Sequence, residues 1–138
     1  MQKLVIIMRG VPGSGKSTWV GRYPHPHAVV STDNFFLDEK GDYHFNIENL
    51  RYNHQRALRM FKKIVDEKIS IIIVDNTNIK KRDYKEYVSY GIDAGYTVVQ
   101  KVCCGEYGTI HDVAPETVER MKRQLQVDDF LPHYEEIQ

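Results

Sequence analysis

Residues 10 to 18 read Gly10-Val11-Pro12-Gly13-Ser14-Gly15-Lys16-Ser17-Thr18, and Gly10 to Ser17 fits the spacing G-x-x-x-x-G-K-[ST]. With a strand before it and a helix after it, this spacing makes a loop that wraps phosphates. Glycine lets the backbone turn tightly and approach a ligand without a Cβ in the way. Successive N–H groups then converge on phosphate oxygens, helped by the positive end of the following helix. In that setting Lys16 bridges the β- and γ-phosphates of a nucleoside triphosphate and the Ser17 hydroxyl holds Mg²⁺. Gly10, Pro12, Gly13, Ser14, Gly15, Lys16, Ser17 and Thr18 are the expected nucleotide-binding residues.

Two acidic residues stand where such a ligand would need them. Asp33 follows the apolar run Ala28 to Ser31, and Asp75 ends the β-branched run Ile69 to Val74. In a parallel sheet, ligands sit beyond the carboxyl ends of the strands, the edge from which the phosphate loop also leaves. Asp33 is thus placed to take a proton from an acceptor hydroxyl or to support Mg²⁺. Asp75 has the form of the strand-terminal aspartate that reaches Mg²⁺ in nucleotide hydrolases. The alternative for either is a loop or helix cap, a common use of Asp after a strand.

The elements that must position these groups alternate between strand and helix. Leu4 to Met8 reads as a first strand, followed by a short helix from Lys16 to about Arg22 that Pro24 stops. Ala28 to Ser31 reads as a second strand, and Thr32 to Tyr43 as a site-lining loop. A helix is expected from about Ile47 to Glu67, with Asn46 as its cap and an apolar stripe of Leu50, His54, Ala57, Leu58, Phe61, Ile64 and Val65. Ile69 to Val74, a helix from Lys81 to Ala94 closed by Gly95, and a strand Thr97 to Cys103 come next. Pro115 opens a last helix expected to bury Val118, Met121 and Leu125. The expected fold is α/β: a three-layer sandwich with a mostly parallel sheet of four to five strands and helices on both faces, forming one domain over residues 1–138.

Composition sets the outer limits. The 138 residues carry 19 basic and 19 acidic side chains, so formal net charge is zero, which argues against tight, indiscriminate binding along duplex nucleic acid. The charge is uneven. Lys3, Arg9, Lys16 and Arg22 precede any carboxylate, a cationic block that suits a polyphosphate, whereas Asp128, Asp129, Glu135 and Glu136 close the chain without Lys or Arg. No apolar run approaches the roughly 20 residues of a membrane helix. With adjacent Cys103 and Cys104 as the sole cysteines, the reading is a cytoplasmic protein with free thiols and no membrane contact.

VPGSGKSTW, STDNFF, GDYHFNIENLRYNHQRA and IIIVDNTNIKKRDYKEYVSYGIDAGYTVV together resemble the P-loop kinase domains of the NEDD-binding-protein type. These are similar in turn to the kinase half of bacteriophage 5′-polynucleotide kinase. The resemblance runs from about Val5 to Met121. It implies Asp33 as the general base and Lys16 with Ser17 on phosphates and Mg²⁺, which agrees with the loop's own indication of ATP or another NTP with Mg²⁺ as cofactors. It further implies that Thr77 and Asn78 shape the acceptor pocket. Phe36 falls where the phage enzyme has an arginine for the acceptor phosphate, and it is the best aromatic candidate to stack on a base, among Phe35, Tyr43 and Phe45. The lid of such kinases supplies an arginine worth about 10³–10⁵ in rate. Here Gly105 to Ala114 has no Arg or Lys, and Arg120 or Arg123 on the last helix stands as the substitute. Lys80, Lys81 and Arg82, which oppose the dipole of the helix they open, are a further candidate for an acceptor-strand phosphate.

The implied activity is transfer of the γ-phosphoryl of an NTP to the 5′-OH of DNA or RNA, with the NTP and a strand's 5′ end as partners. A kinase for a small acceptor such as a nucleoside or sugar is the second reading. An NTP-binding module with little or no turnover is the third.

Overall fold

The structure is a computed structural model that describes residues 2–37, 39–44, 46–105 and 114–135. Phe45, Glu136 and the interior of the lid connection, residues 106–113, lie outside the described residues. Four strands, β1 (Leu4–Arg9), β2 (Ala28–Val30), β3 (Ile71–Asp75) and β4 (Thr97–Val102), form a parallel sheet in the order β2-β3-β1-β4. The helices are α1 (Lys16–Gly21), α2 (Leu50–Asp66), α3 (Lys81–Asp93) and α4 (Pro115–Gln124). Ile47–Asn49, expected as the first turn of the long helix, is a separate 3₁₀ turn, and the Asn46 side chain caps it by accepting from Glu48 N at 2.9 Å. The segment after β2, read from sequence as a loop, is a 3₁₀ helix over Thr32–Phe36.

Alternation along the strands sends side chains to two cores. Val5 and Ile7 of β1 with Ile72 and Val74 of β3 meet Ala57, Phe61 and Val65 of α2 and Tyr84 and Tyr87 of α3. Leu4, Ile6 and Met8 with Ile73 and Val99 meet Val20 on the opposite face, where Trp19, Tyr23 and Tyr134 pack against them. Helices therefore cover both faces, as expected. The buried stripe of α2 contains Asn53 in place of His54, which is exposed, and α4 buries none of its residues, Val118, Met121 and Leu125 being half-buried.

The polar groups at the carboxyl edge are held by a buried arginine. Arg9, 1% exposed, donates from Nε to Asn78 O at 2.9 Å, from Nη1 to Gln100 Oε1 at 3.0 Å, and from Nη2 to Ile79 O at 3.0 Å and Gln126 O at 2.6 Å. Its guanidinium also lies over the Tyr84 ring, 4.7 Å from the centroid. Gln100 Nε2 donates to Asp128 O and Leu131 O, both at 2.7 Å, so the C-terminal segment is fastened to β4 through the same cluster. Beyond it, Gln100 N donates to Pro132 O and Tyr134 N to Gln100 O, an isolated parallel bridge between β4 and the C-terminal segment. Arg9, counted from sequence among the cations suited to a phosphate, is thus committed to the interior.

Burial alone would push the Asp128 carboxyl up, but hydrogen bonds from Tyr84 Oη and from the N–H groups of Phe130 and Leu131 outweigh it and hold the carboxyl below the usual range. Its contribution to stability is present above the ordinary carboxylate pKa and lost as pH falls through the depressed value. Arg9→Met would leave several buried acceptors unsatisfied at about 1–3 kcal/mol each. It is expected to lower unfolding free energy by roughly 3 kcal/mol or more in urea titrations followed by circular dichroism. A change below about 1 kcal/mol would show that the strand ends do not depend on this cluster.

Candidate active site

Register sets the geometry of the site. Met8 pairs with Asp75 across β1 and β3, and Val30 pairs with Val74 across β2 and β3. Three chain segments therefore leave the sheet at one level: the phosphate loop after Arg9, Asn76 after Asp75, and Ser31-Thr32-Asp33 after Val30. Gly10 N donates to Thr77 O at 2.9 Å and Gly105 N donates to Ser14 O at 2.9 Å, so the loop is clasped between the β3 and β4 exits. Gly10 has no room for a side chain: a Cβ would lie 2.6 Å from both Cys103 O and Ser14 Oγ. Gly13 and Gly15 take φ of +80° and +99°, as the loop requires.

Lys16, the first residue of α1, donates from Nζ to Val11 O at 3.1 Å, folding back over its own loop. Burial lowers its pKa, against the pull of Asp75, Cys103 and Asp33. Burial likewise raises the pKa of half-buried Asp75; Lys16 opposes the rise, and Asp33 adds to it. Lys16, Asp75 and Asp33 thus sit within electrostatic reach of one another. Ser14 Oγ is buried and lacks a hydrogen-bond partner among the described residues. A loop with a buried orphan hydroxyl, a desolvated lysine and free first-turn N–H groups of α1 is built to receive oxyanions. Ser17, exposed at the first turn, and Asp75 have the hard oxygen atoms that Mg²⁺ takes, and a divalent cation would relieve the desolvated carboxylate.

Asp33 is exposed on the 3₁₀ helix, and Tyr43 Oη reaches its Oδ1 at 3.5 Å. Burial first, and the Asp33 charge second, push the Tyr43 phenol up to about 12, so it remains a donor at neutral pH. Two contacts that sequence reasoning missed hold the 3₁₀ helix in place. Thr32 N donates to Asn76 Oδ1 at 2.8 Å, and Thr32 Oγ1 and His54 Nδ1 are 3.0 Å apart. Burial pushes the nearby Tyr87 phenol up to about 12, an effect that Asn76 opposes. Burial lowers the His54 pKa despite Asp83 and Asp33, which keeps the imidazole neutral near pH 7. The turn-rich D-N-T-N segment was the available signal for Asn76.

Two residues expected on the acceptor side are buried in the structure. Asn78 is 2% exposed with φ +48°, and its Nδ2 donates to Met8 O at 2.7 Å, so it braces the strand ends. Phe36 is 5% exposed and packs on Tyr43 with ring centroids 6.1 Å apart, so it anchors the segment. Thr77 is half-buried and lends its carbonyl to Gly10. Pro12 is half-buried in the loop and Thr18 is exposed on α1. Arg120 and Arg123 are exposed on α4 and are not among the groups whose charge acts on Lys16. Lys81 and Arg82 are exposed, while Asp83 Oδ2 accepts from Lys80 N at 2.9 Å, capping the helix start that these cations disfavour.

A parallel sheet with this loop between its first strand and first helix defines a nucleotide-binding α/β fold of the P-loop type. The chain belongs to the AAA domain family, which it matches over residues 5–112. It is similar to human NEDD4-binding protein 2, with 34% identity over 99 residues that make up 70% of this chain and 6% of that protein. Among solved structures it superposes on a chain of the Pnkp1/Rnl/Hen1 complex with a TM-score of 0.61 and 19% identity, covering 96% of this chain and 46% of that one. It also resembles Mycobacterium tuberculosis APS kinase CysC in complex with AMPPNP and APS, with a TM-score of 0.51, 17% identity and coverage of 86% and 68%. The chain therefore spans a small fraction of the human relative and under half of the Pnkp1 complex chain. Among the described residues, no helix is long and apolar enough to cross a membrane.

The raised pKa of Asp75 has a sign that can be measured. Ionising it costs folding free energy, so nucleotide-free stability is lost as pH rises through its folded value. Asp75→Asn is expected to match or exceed the parent in Tm at about pH 8 in chelator, with the gap closing toward acid pH. Adding Mg²⁺ and ATP is expected to raise the parent Tm more than that of the variant. A variant less stable than the parent in chelator at every pH would place Asp75 in a structural role.

Proposed function

We propose that residues 1–138 act as one phosphotransferase domain that moves the γ-phosphoryl of ATP, or another NTP, to the 5′-OH of DNA or RNA. The observation that carries this reading is the grouping of Asp33 with Lys16 and Asp75 at one sheet edge, with Asp33 exposed and the other two shielded. A nucleotide-storage site needs the lysine and the metal-side carboxylate; a second, open carboxylate is what an acceptor hydroxyl needs. The resemblance to the NEDD-binding-protein type supports the nucleic-acid acceptor.

In this reading the residues of the loop from Gly10 to Thr18 hold the triphosphate and Lys16 spans its β- and γ-oxygens. Asp33 accepts the proton of the 5′-OH as that oxygen bonds to the γ-phosphorus. The bond from phosphorus to the β,γ-bridging oxygen breaks, and the nucleoside diphosphate leaves. Tyr43 and the Thr32–His54 contact orient Asp33. Ser17 and Asp75 would hold Mg²⁺, which neutralises phosphate charge when bound. Arg120 remains the candidate for the cation that the lid connection lacks. Most of the acceleration comes from positioning and charge stabilisation.

The test offers γ-labelled ATP with Mg²⁺ to 5′-hydroxyl oligonucleotides, to nucleosides and to water alone, beside Asp33→Asn. Label on oligonucleotides, reduced about 10²–10⁴-fold in the variant with the ATP Kd preserved, is the expected result. Label on nucleosides alone would establish the small-acceptor kinase. ATP binding without transfer to any acceptor would establish the binding module, the reading favoured by a lid connection without Arg or Lys.

A further inference from the structure

Beside the 3₁₀ helix that carries Asp33 lies a cleft of about 260 Å³ lined by Phe35, Phe36, Leu37, His44, Asn49, Tyr52, Asn53 and Arg56. Four of these, Asn49, Tyr52, Asn53 and Arg56, recur at helical spacing and form one stripe facing the Asp33 segment. The stripe is bound to that segment: Asn53 Nδ2 donates to Phe35 O at 3.4 Å, and Arg56 Nη1 donates to Asn53 Oδ1 at 3.3 Å. The Arg56 guanidinium stands 4.4 Å from the Phe35 ring centroid and 5.5 Å from that of Tyr52. Tyr52 is 54% exposed. The cleft thus offers an open aromatic face, a flat cation and amide groups within one small surface.

Its charge separates it from its neighbour. The groove between α2 and α3 has Arg51 and Arg82 together with Asp83 and Glu86, so its cations are balanced. No carboxylate occurs among the described residues that line the Arg56 cleft. Aromatic faces beside an arginine are how single strands are held without sequence preference, each stacked base contributing about 1–3 kcal/mol. Guanidinium planes stack on bases and also pair with phosphates.

We infer that the Tyr52–Arg56 cleft is a subsite for the acceptor strand, which stacks an unpaired nucleobase near the 5′ end on Tyr52 and sets an internucleotide phosphate against Arg56. This rests on the nucleic-acid reading of the Asp33 site and deepens it, because the acceptor is then a single strand longer than one nucleotide. Phe36, the residue singled out from sequence for stacking, supports the cleft from beneath while Tyr52 supplies the face.

The experiment measures two quantities for the parent, Tyr52→Ala and Arg56→Lys. One is the Kd of a fluorescent single-stranded 5′-hydroxyl oligonucleotide with a non-hydrolysable ATP analogue present. The other is KM for oligonucleotide and for nucleoside 3′-monophosphate acceptors. Tyr52 is exposed, so its truncation is not expected to disturb folding, and an unchanged Tm checks this. Tyr52→Ala is expected to weaken oligonucleotide binding and raise oligonucleotide KM about 5- to 100-fold, leaving the KM for ATP and for the mononucleotide acceptor unchanged. Arg56→Lys keeps the charge and loses the plane, so it is expected to weaken binding while retaining its salt dependence.

Oligonucleotide phosphorylation with parental KM in both variants would overturn the subsite and leave the kinase reading intact. Tyr52-dependent strand binding without any phosphoryl transfer would uphold the subsite and overturn the kinase reading. No strand binding, or mononucleotides accepted as well as oligonucleotides, would overturn the subsite.

Discussion

Arg9 is the last residue of β1, and its guanidinium joins Asn78 and Ile79 after β3, Gln100 of β4 and Gln126 after α4. A charge this far from water is tolerable only when nearly every N–H has a partner. The acceptors are mainly backbone carbonyls, at segments where the regular ladder has ended and carbonyl oxygens would otherwise be orphaned. One side chain at the end of β1 thereby satisfies the exit of β3, reaches β4 and ties the C-terminal segment to them. The phosphate loop begins at the next residue, so its starting point is fixed in space by this cluster. The first strand and the C-terminal segment meet here, through Arg9, Gln100 and the Asp128 backbone.

Above that support the loop is suspended between two neighbours, Thr77 and the Cys103–Gly105 stretch. Nothing larger than hydrogen fits at Gly10, so the loop's backbone is brought against the β4 exit. Lys16 and Asp75 are both partly withdrawn from water, and each is disfavoured in its charged form by that withdrawal. A triphosphate with its metal, the ligand of the proposed reading, would offer each charge a partner that water no longer supplies, and its binding would restore the stability that desolvation costs the empty protein.

Much of this was legible in sequence, for reasons tied to particular residues. The G-x-x-x-x-G-K-[ST] spacing marks its own loop, because few backbones but a phosphate loop need glycine at those positions before a lysine. The β-branched run ending in Asp75 and the alternation of elements announced a parallel sheet. What was not legible depended on burial, which spacing alone does not report. Asn78 and Asn76 are two amides in one turn-rich segment, and only the positive φ of Asn78 turns its side chain inward to Met8 while Asn76 reaches Thr32. His54 satisfied the helical period of α2, yet Asn53 occupies the buried line because Phe35 O needs a donor there. Phe36 and Tyr52 both carry aromatic rings; the first is buried on the 3₁₀ helix Thr32–Phe36 and the second is exposed on α2.

These differences divide the site into halves with different tolerance for change. The nucleotide half is made of strand ends, one glycine-bound loop and a buried cluster, and nearly any substitution there disturbs packing that the whole sheet shares. On the proposed acceptor half, a five-residue 3₁₀ helix is held to α2 through Thr32, His54 and Asn53. Surface positions such as Tyr52 can alter what is gripped without touching Lys16 or Asp75. One fold can therefore keep its phosphate chemistry while its acceptor varies, and likeness in fold identifies the donor side more firmly than the acceptor. On the proposed reading, the acceptor would be chosen by the stripe along α2 and by the few residues after β2, both of which lie outside the sheet.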